Sequence, residues 1–305
     1  MKTIDLILLL ALAAIWGASF LFMRVLAPLL GPVLTADLRT LIAGLLLVVI
    51  FALLGKKLDW RKNLRHYVVV GLFNSALPFT LYSWAALNTS ASIESIVNAL
   101  TPLWGAIFGA IILGEAITLR KITGMIFGFA GVAVIALFGT GASRAELGAD
   151  ALPVLACLLA TVSYGFSGAY LKRWAPAVSS RAMTASSLLV AGLILLAPAA
   201  LTAPPLPSIS PMTWLLATLF AIFCSAIAYL IYFRLIASAG LTAALSVTLL
   251  IPVFAFVWAW LFLGETLRPA AFAGAALVVA GTVLITGAGM RKAPSPAVSS
   301  AGRRA

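Results

Sequence analysis

Long runs of apolar residues dominate the sequence, and short polar or turn-forming segments separate them. A helix needs about 20 mainly apolar residues to cross the hydrocarbon core of a bilayer. By this criterion the sequence predicts ten membrane-spanning helices, at residues 4–27, 34–54, 66–87, 91–113, 120–139, 150–172, 182–202, 212–237, 241–263 and 269–288. The segments between them are short, so we expect no extramembrane domain.

The composition indicates the same class of protein. Of the 305 residues, 63% are hydrophobic and 9% are charged, whereas soluble domains average about 25% charged residues. One histidine and two cysteines argue against a metal centre or a disulfide framework. An enzyme would normally need a cluster of acidic, histidine, cysteine or lysine side chains at its active site, and the predicted spans contain no such cluster. We therefore expect an all-α polytopic membrane protein that is not an enzyme and has no metal or cofactor.

The two ends of the chain are interpreted separately. The N-terminal stretch could pass for a signal peptide, but Asp5 lies in the region that should be basic, and the apolar run continues to Ala27. We expect an uncleaved first span. Residues 291–305 are rich in Ala, Pro, Ser, Gly and Arg, which predicts a disordered cytoplasmic tail.

Basic residues predict the orientation in the membrane. With the N-terminus inside, 16 of the 20 Lys and Arg residues fall on the inner side of the ten-span arrangement. Cytoplasmic loops carry this excess in membrane proteins. Both termini and the basic segment 56–65 are therefore expected in the cytoplasm. The same asymmetry accounts for the net charge of +12, so we expect no nucleic-acid partner.

The second half of the sequence repeats the first. An offset of 150 residues aligns Tyr82 with Tyr232, Pro102 with Pro252, Leu113-Gly114-Glu115 with Leu263-Gly264-Glu265, and Gly124 and Gly131 with Gly274 and Gly281. Near the start, an offset of 148 aligns Trp16-Gly17 with Tyr164-Gly165. We predict two five-helix repeats, residues 1–145 and 146–290. Because five is odd, the second repeat must enter the membrane from the opposite side. Such inverted repeats are typical of secondary transporters, whose substrate site lies between the repeats near the midplane.

These motifs, together with Trp16-Gly17-Ala18-Ser19-Phe20 and the Leu38-Arg39 pair, resemble the EamA-type drug/metabolite transporter superfamily. Within it the chain is most similar to the YddG-type aromatic amino acid exporters of bacterial inner membranes. The resemblance covers residues 4–288. It implies a fold of ten helices and the export of amino acids or similar metabolites. The second half has no counterpart of Arg39, so the role of that residue is not duplicated.

We therefore expect a secondary transporter that exports amino acids, including aromatic and other neutral ones, across the bacterial inner membrane by alternating access between the repeats. The alternative is a multidrug or other metabolite carrier of the same fold. The expected partners are the small-molecule substrate and membrane lipid. The pairs Gly105 and Gly109, and Gly124 and Gly128, allow helices to approach closely. We attribute this spacing mainly to packing within one chain, so a monomer is favoured over a dimer.

Polar and aromatic residues on shared helix faces are the candidate substrate site. On the third span Asn74, Pro78 and Tyr82 recur every four residues, which places them on one face of a regular helix. Aromatic rings can pack against a substrate side chain, and amide, hydroxyl and phenol groups can bind its amino and carboxylate groups. Packing between helices is the alternative role for such residues. The predicted cavity residues are Trp16, Ser19, Asn74, Pro78, Phe79, Tyr82, Asn98, Tyr164, Ser167, Tyr229 and Tyr232.

The charged residues are predicted to lie at the ends of the spans. Asp37 and Glu94 fall in the first turns of the second and fourth spans, near the level of Arg24 and Arg39, so we expect paired charges at the outer rim. Glu115 and its repeat partner Glu265 are expected to be structural caps or loop contacts. With no charge predicted at mid-depth and no phosphate-binding loop, we expect transport driven by diffusion or exchange.

Overall fold

The computed structural model describes residues 2–139, 147–239 and 247–286, and every regular element within these ranges is helical. The helices are α1 (Thr3–Leu30), α2 (Pro32–Leu53), α3 (Trp60–Ala85), α4 (Ala91–Leu113), α5 (Leu119–Val134), α6 (Leu147–Trp174), α7 (Ser180–Thr202), α8 (Pro211–Ala239), α9 (Val247–Leu263) and α10 (Pro269–Thr286). The predicted tail and the first residues of the predicted ninth span lie outside the described residues.

Length and hydropathy agree with a polytopic membrane protein. In the described part of the chain, seven helices are long and apolar enough to cross a membrane, namely α1, α2, α3, α4, α6, α7 and α8. Helices α9 and α10 are apolar but shorter. Helix α5 continues into a π-helical turn at Ile135–Gly139. Many large apolar side chains remain exposed on the outer surface of the bundle, for example Leu53, Ile111 and Leu201, as expected for a surface that faces lipid.

Local sequence signals account for where several helices begin and end. Ser90, Ser179 and Ser210 each accept a hydrogen bond from the backbone N–H three residues later, which caps α4, α7 and α8. Helices α4 and α9 both end in Leu-Gly-Glu. Gly114 and Gly264 there have φ values of 69° and 64°, a left-handed conformation that glycine adopts without steric cost.

Two helix pairs approach so closely that only glycine fits. A Cβ atom on Gly124 would lie 2.7 Å from the carbonyl oxygen of Gly281, and one on Gly131 would lie 2.6 Å from that of Gly274. Gly124 aligns with Gly274 in the repeat, and Gly131 with Gly281, so the contact between α5 and α10 is reciprocal. Reciprocal contacts are the pattern that a two-fold relation produces.

The contact between α2 and α7 follows the same rule. A Cβ on Gly44 would lie 2.3 Å from the backbone nitrogen of Leu189, and one on Gly192 would lie 2.7 Å from Cα of Leu41. Gly44 and Gly192 are 148 residues apart, the offset that aligns the starts of the two halves. Around these two pairs, α1 packs against α9 and α4 against α6, while α3 packs against α7 and α8 against α2. Elements of both halves therefore surround one central space.

Three helices depart from regular geometry near this space. Helix α4 is interrupted between Asn98 and Thr101, because Pro102 has no N–H to donate to the Asn98 carbonyl. The Thr101 hydroxyl donates to that carbonyl instead, at 2.8 Å. Helices α3 and α8 contain π-helical turns at Leu72–Ala76 and Ile222–Ile227. These turns change which residues face the centre.

Candidate functional site

A cavity of about 850 Å³ lies between the two halves. Its wall includes residues of α1, α2, α3, α4, α6, α7, α8 and α9. At one end the lining reaches the connection between α6 and α7, through Ala175, Pro176, Val178 and Ser180. The cavity opens on that side. Ligand pockets in proteins usually measure about 300–1,000 Å³, so this space suits a metabolite of small to moderate size.

Most of the predicted site residues come together in this wall. Trp16, Ser19, Asn74, Phe79, Tyr82, Asn98, Tyr164, Tyr229 and Tyr232 all line the cavity. They come from five different helices, and their contact with a substrate stays a prediction. Pro78 and Ser167 were predicted with them, but neither lines the cavity.

The π-helical turn explains why Pro78 is displaced. A π-helical turn closes bonds between residues five apart rather than four. Because Leu72–Ala76 forms such a turn, the cavity residue that follows Asn74 is Phe79, five positions on. Tyr82 then follows Phe79 at regular helical spacing, and Pro78 is buried away from the cavity. Ser167 is fully buried, while its neighbours Tyr164 and Gly168 form the cavity face of α6.

Aromatic rings form two matched pairs in the wall. The ring centroids of Trp16 and Tyr232 are 5.5 Å apart, and those of Tyr82 and Tyr164 are 6.4 Å apart and stacked. Trp16 aligns with Tyr164 in the repeat, and Tyr82 with Tyr232, so these contacts are reciprocal as well. The Tyr82 hydroxyl donates to Asn98 Oδ1 at 3.1 Å. The wall thus offers ring faces for an apolar or aromatic group.

Arg39 is the principal site residue that the sequence analysis missed. We predicted it at the outer rim beside acidic residues, but it lines the cavity and is only 6% exposed. Its position in α2 is seven residues, about 10 Å, from the start of the helix, and its side chain extends into the bundle. There its guanidinium lies over the ring of Phe79, 3.9 Å from the centroid. Arg39 therefore lies buried in the cavity wall and not in an ion pair with a described acidic residue, as had been expected at the rim.

The acidic residues predicted at the rim are buried inside the bundle. Glu94 is fully buried, and neither of its carboxylate oxygens has a hydrogen-bond partner among the described residues. Asp37 is 2% exposed, and its Oδ1 likewise has no partner there. Their positions in the first turns of α4 and α2 predicted paired charges at the rim, because a single sequence does not show which neighbouring helices cover a helix end.

Hydrogen bonds close the end of the bundle opposite the opening. Glu265 accepts hydrogen bonds from the backbone N–H groups of Ala91 and Ser92, at 3.1 and 3.4 Å, and from the Ser92 hydroxyl at 3.1 Å. Its predicted role as a cap is confirmed, and it ties the end of α9 to the start of α4. The Arg24 guanidinium donates to the Ala86 carbonyl nearby. The Glu265 contacts join the two halves on the closed side, whereas the contact of Arg24 with Ala86 lies within the first half.

At the open end, Glu115 makes a different contact from its repeat partner. It forms ion pairs with Lys172 and, at 3.6 Å, with Lys121. The hydrogen bond from Lys172 holds the pKa of Glu115 below its ordinary value, so the carboxylate stays ionised near neutral pH. Lys172 also lines the cavity mouth. The repeated Leu-Gly-Glu motif thus caps a helix at the closed end and makes ion pairs at the open end.

The chain is similar to known membrane transporters over most of its length. The family model described as the EamA-like transporter family matches residues 3–137 and, a second time, residues 151–287. The chain is similar to the "uncharacterized transporter YvbV" of Bacillus subtilis, with 31% identity over 289 residues, or 93% of this chain and 92% of that protein. It is also similar to the S-adenosylmethionine/S-adenosylhomocysteine transporter of Chlamydia muridarum, with 28% identity over 90% of this chain and 88% of the relative.

A solved structure shares the fold. It superposes with a TM-score of 0.64 over 94% of this chain and 98% of its own length, at 18% sequence identity. At this level of identity the likeness concerns the fold alone.

Proposed function

Because the chain belongs to the EamA-like transporter family, we propose that it is a secondary transporter that exports amino acids by alternating access between two inverted repeats. The observation that carries this proposal is the cavity of about 850 Å³ between the halves, with aromatic pairs and an arginine in its wall. Among the described residues, the cavity reaches the connection between α6 and α7 at one end, and contacts of Glu265 with Ala91 and Ser92 join the halves at the other. That is the arrangement expected of one state of an alternating-access cycle.

The proposal includes the organisation of the chain. Residues 1–145 and 146–290 are the two repeats, each with five membrane spans, and the protein is a monomer in the bacterial inner membrane. The reciprocal glycine contacts and the reciprocal aromatic pairs support the inverted relation of the repeats. With both termini in the cytoplasm, the open end of the cavity faces inward, because Lys172 and Ser180 belong to the predicted cytoplasmic side.

Aromatic and other neutral amino acids are the proposed substrates, as in the YddG-type exporters that the sequence resembles. The rings of Trp16, Tyr82, Tyr164 and Tyr232 support this choice, since they can pack against an apolar side chain. A second candidate substrate is S-adenosylmethionine or S-adenosylhomocysteine, because the relative named as a transporter of these two molecules aligns over 90% of the chain. Both candidates contain an amino acid group.

We expect a substrate gradient alone to drive flux. Purified protein would be reconstituted into liposomes loaded with unlabelled phenylalanine, and counterflow of labelled phenylalanine measured without ATP or an ion gradient. Accumulation above that of protein-free liposomes is the expected result. A parallel series with S-adenosylhomocysteine tests the second candidate. If labelled substrate entered only under an imposed pH gradient, the diffusion or exchange mechanism would be wrong, and the buried Glu94 would be the first residue to test.

The orientation has its own test. We expect a reporter fused after Leu64 to show a cytoplasmic location, since this segment carries Lys56, Lys57, Arg61 and Lys62. A paired fusion after Thr89, in the connection between α3 and α4, should show a periplasmic location. Alkaline phosphatase and a fluorescent protein report the two sides in complementary ways. Periplasmic activity at Leu64 would reverse the orientation, and with it the direction in which the cavity opens.

A further inference from the structure

Arg39 carries a buried positive charge in the wall of the cavity. Its guanidinium lies between two aromatic rings, with Cζ 3.9 Å from the centroid of Phe79 and 4.7 Å from that of Phe220. Both contacts are cation–π interactions, which favour the charged form of the side chain. They also hold the plane of the guanidinium in a fixed position beside the cavity.

The hydrogen bonds of this guanidinium are few and neutral. Nε donates to Ser225 Oγ at 3.0 Å, and Nη2 donates to Ser19 Oγ and to the Cys224 carbonyl, each at 3.5 Å. Nη1 has no acceptor within hydrogen-bonding distance in the described part of the chain. A guanidinium has five N–H donors, so part of its donor capacity is unused.

The described acidic residues do not compensate this charge. None of their carboxylate oxygens lies within 4.0 Å of Arg39, and Glu115 pairs with Lys121 and Lys172 instead. Glu265 caps α4, and Asp5 accepts a hydrogen bond from Ser238. Asp37 is two residues from Arg39 on the same helix, a spacing that points side chains to different faces. A buried charge without a counterion costs several kcal/mol, and an anionic ligand in the cavity would remove much of that cost.

We propose that Arg39 binds the carboxylate of the transported substrate. The planar guanidinium fits a carboxylate through two parallel N–H···O bonds, and Nη1 supplies donors for this contact. The inference rests on the proposed transport function and defines its substrate class: small molecules that join a carboxylate to an apolar or aromatic group. Amino acids and S-adenosylhomocysteine belong to this class.

The neighbouring side chains give the bound substrate a direction. Ser19, which contacts Arg39, is three residues after Trp16 in α1, and Phe79, which packs on Arg39, is three residues before Tyr82 in α3. In each helix the aromatic residue therefore lies one turn from the residue that contacts Arg39, and on the same face. The carboxylate binds at Arg39 and the side chain lies along the rings of Trp16 and Tyr82. Because the second half has no counterpart of Arg39, only one orientation of the substrate satisfies this contact.

The test compares pairs of molecules that differ by the carboxylate. Binding to purified protein would be measured for phenylalanine and phenethylamine, and for S-adenosylhomocysteine and 5′-methylthioadenosine, with wild type, Arg39→Gln and the exposed-residue control Arg234→Gln. Loss of one partner of a buried charge pair costs about 2 kcal/mol or more, or about 30-fold in affinity. We expect Arg39→Gln to lose about 30-fold or more for the carboxylate member of a pair and less than about threefold for the other. Arg234→Gln should change neither.

Equal losses for both members of a pair would overturn the inference and leave Arg39 a packing residue between α2 and α8. If Arg39→Gln does not give monodisperse protein, Arg39→Lys replaces it, since lysine keeps the charge but not the planar fork. Unchanged affinity of Arg39→Lys for the carboxylate member would then contradict the proposal.

Binding to the wild-type protein distinguishes a failure of the proposed function from a failure of the carboxylate site. If wild type binds none of these four molecules, amino acids are not its substrates. Thermal stabilisation by phenylpropionate, benzoate and lactate, each compared with its amide, then decides the role of Arg39. Stabilisation by a carboxylate but not its amide, lost in Arg39→Gln, would retain the carboxylate site without amino acids as substrates. If a carboxylate and its amide stabilised the protein equally, the carboxylate site would be overturned.

Discussion

We expect replacement of Gly44 by valine to remove most of the folded protein from a detergent extract. At the crossing of α2 and α7 a Cβ on Gly44 would lie 2.3 Å from the backbone nitrogen of Leu189 and 2.6 Å from its Cα. These are backbone atoms of a packed helix, so no side chain can rotate away to make room. Overpacking in a well-packed interior costs up to about 3 kcal/mol and occasionally more, and the contact between the halves at α2 and α7 would be lost.

Size-exclusion chromatography of a fluorescent fusion, with the thermal midpoint of the surviving peak, measures this effect. Gly105→Val is the matched control, because a Cβ on Gly105 meets nothing within 4 Å. Both changes place the same side chain in a helix that held glycine. Equal monodisperse yield and thermal midpoint for the two variants would contradict the close packing of α2 against α7.

The second large effect is expected at the aromatic wall. Trp16→Ala should lower counterflow of phenylalanine about two- to tenfold, since an aromatic contact is worth about 0.5–1.5 kcal/mol, and should lower counterflow of alanine by less. Tyr82→Ala should show the same preference. Tyr82 is 2% exposed and belongs to the core, so its variant should also lose some folded protein. Trp16 is less buried and gives the cleaner measurement.

Flux would be expressed per amount of monodisperse protein in the liposomes, for phenylalanine and alanine in parallel. Trp260→Ala is the control, because that ring is 56% exposed on the outside of α9. It should change neither flux. If Trp16→Ala and Tyr82→Ala reduced both substrates equally, or only in proportion to the folded protein recovered, these residues would pack helices rather than contact substrate.

Hydropathy predicted the described helices because an apolar run is a local pattern. The glycine spacing was a weaker signal: Gly124 and Gly128 do meet neighbouring helices closely, but the prediction for Gly105 was wrong, since a Cβ there would meet nothing within 4 Å. A long apolar run is a helix whatever it packs against, and aligned glycines such as Gly124 and Gly274 mark the same structural position twice. The aromatic pairs follow the same logic, since Trp16 and Tyr82 were identified with their repeat partners. The reciprocal way in which they meet depends on the two-fold relation between the halves.

Arg39 could not be placed by these patterns. Counting from the predicted end of the span puts it near the rim, but its depth depends on how α2 packs and how far a long side chain extends. Its contacts come from distant parts of the sequence, Phe79 and Phe220 among them. The one available signal was its uniqueness, since the second half has no arginine at the aligned position.

Pro78 was misplaced for a different reason. The π-helical turn before it changes the phase of α3, and the prediction assumed a regular helix.

The two π-helical turns also bear on the history of the chain. Leu72 and Ile222, where they begin, are 150 residues apart, which is the offset that aligns the halves. Each turn is followed by an aromatic residue in the cavity wall, Phe79 in α3 and Tyr229 in α8, and these two also align. A departure shared at the same position was present before the two halves diverged. The ancestral repeat therefore already had a π-helical turn in its third helix, followed by an aromatic residue. Arg39 in α2, by contrast, is present in the first half and has no counterpart in the second.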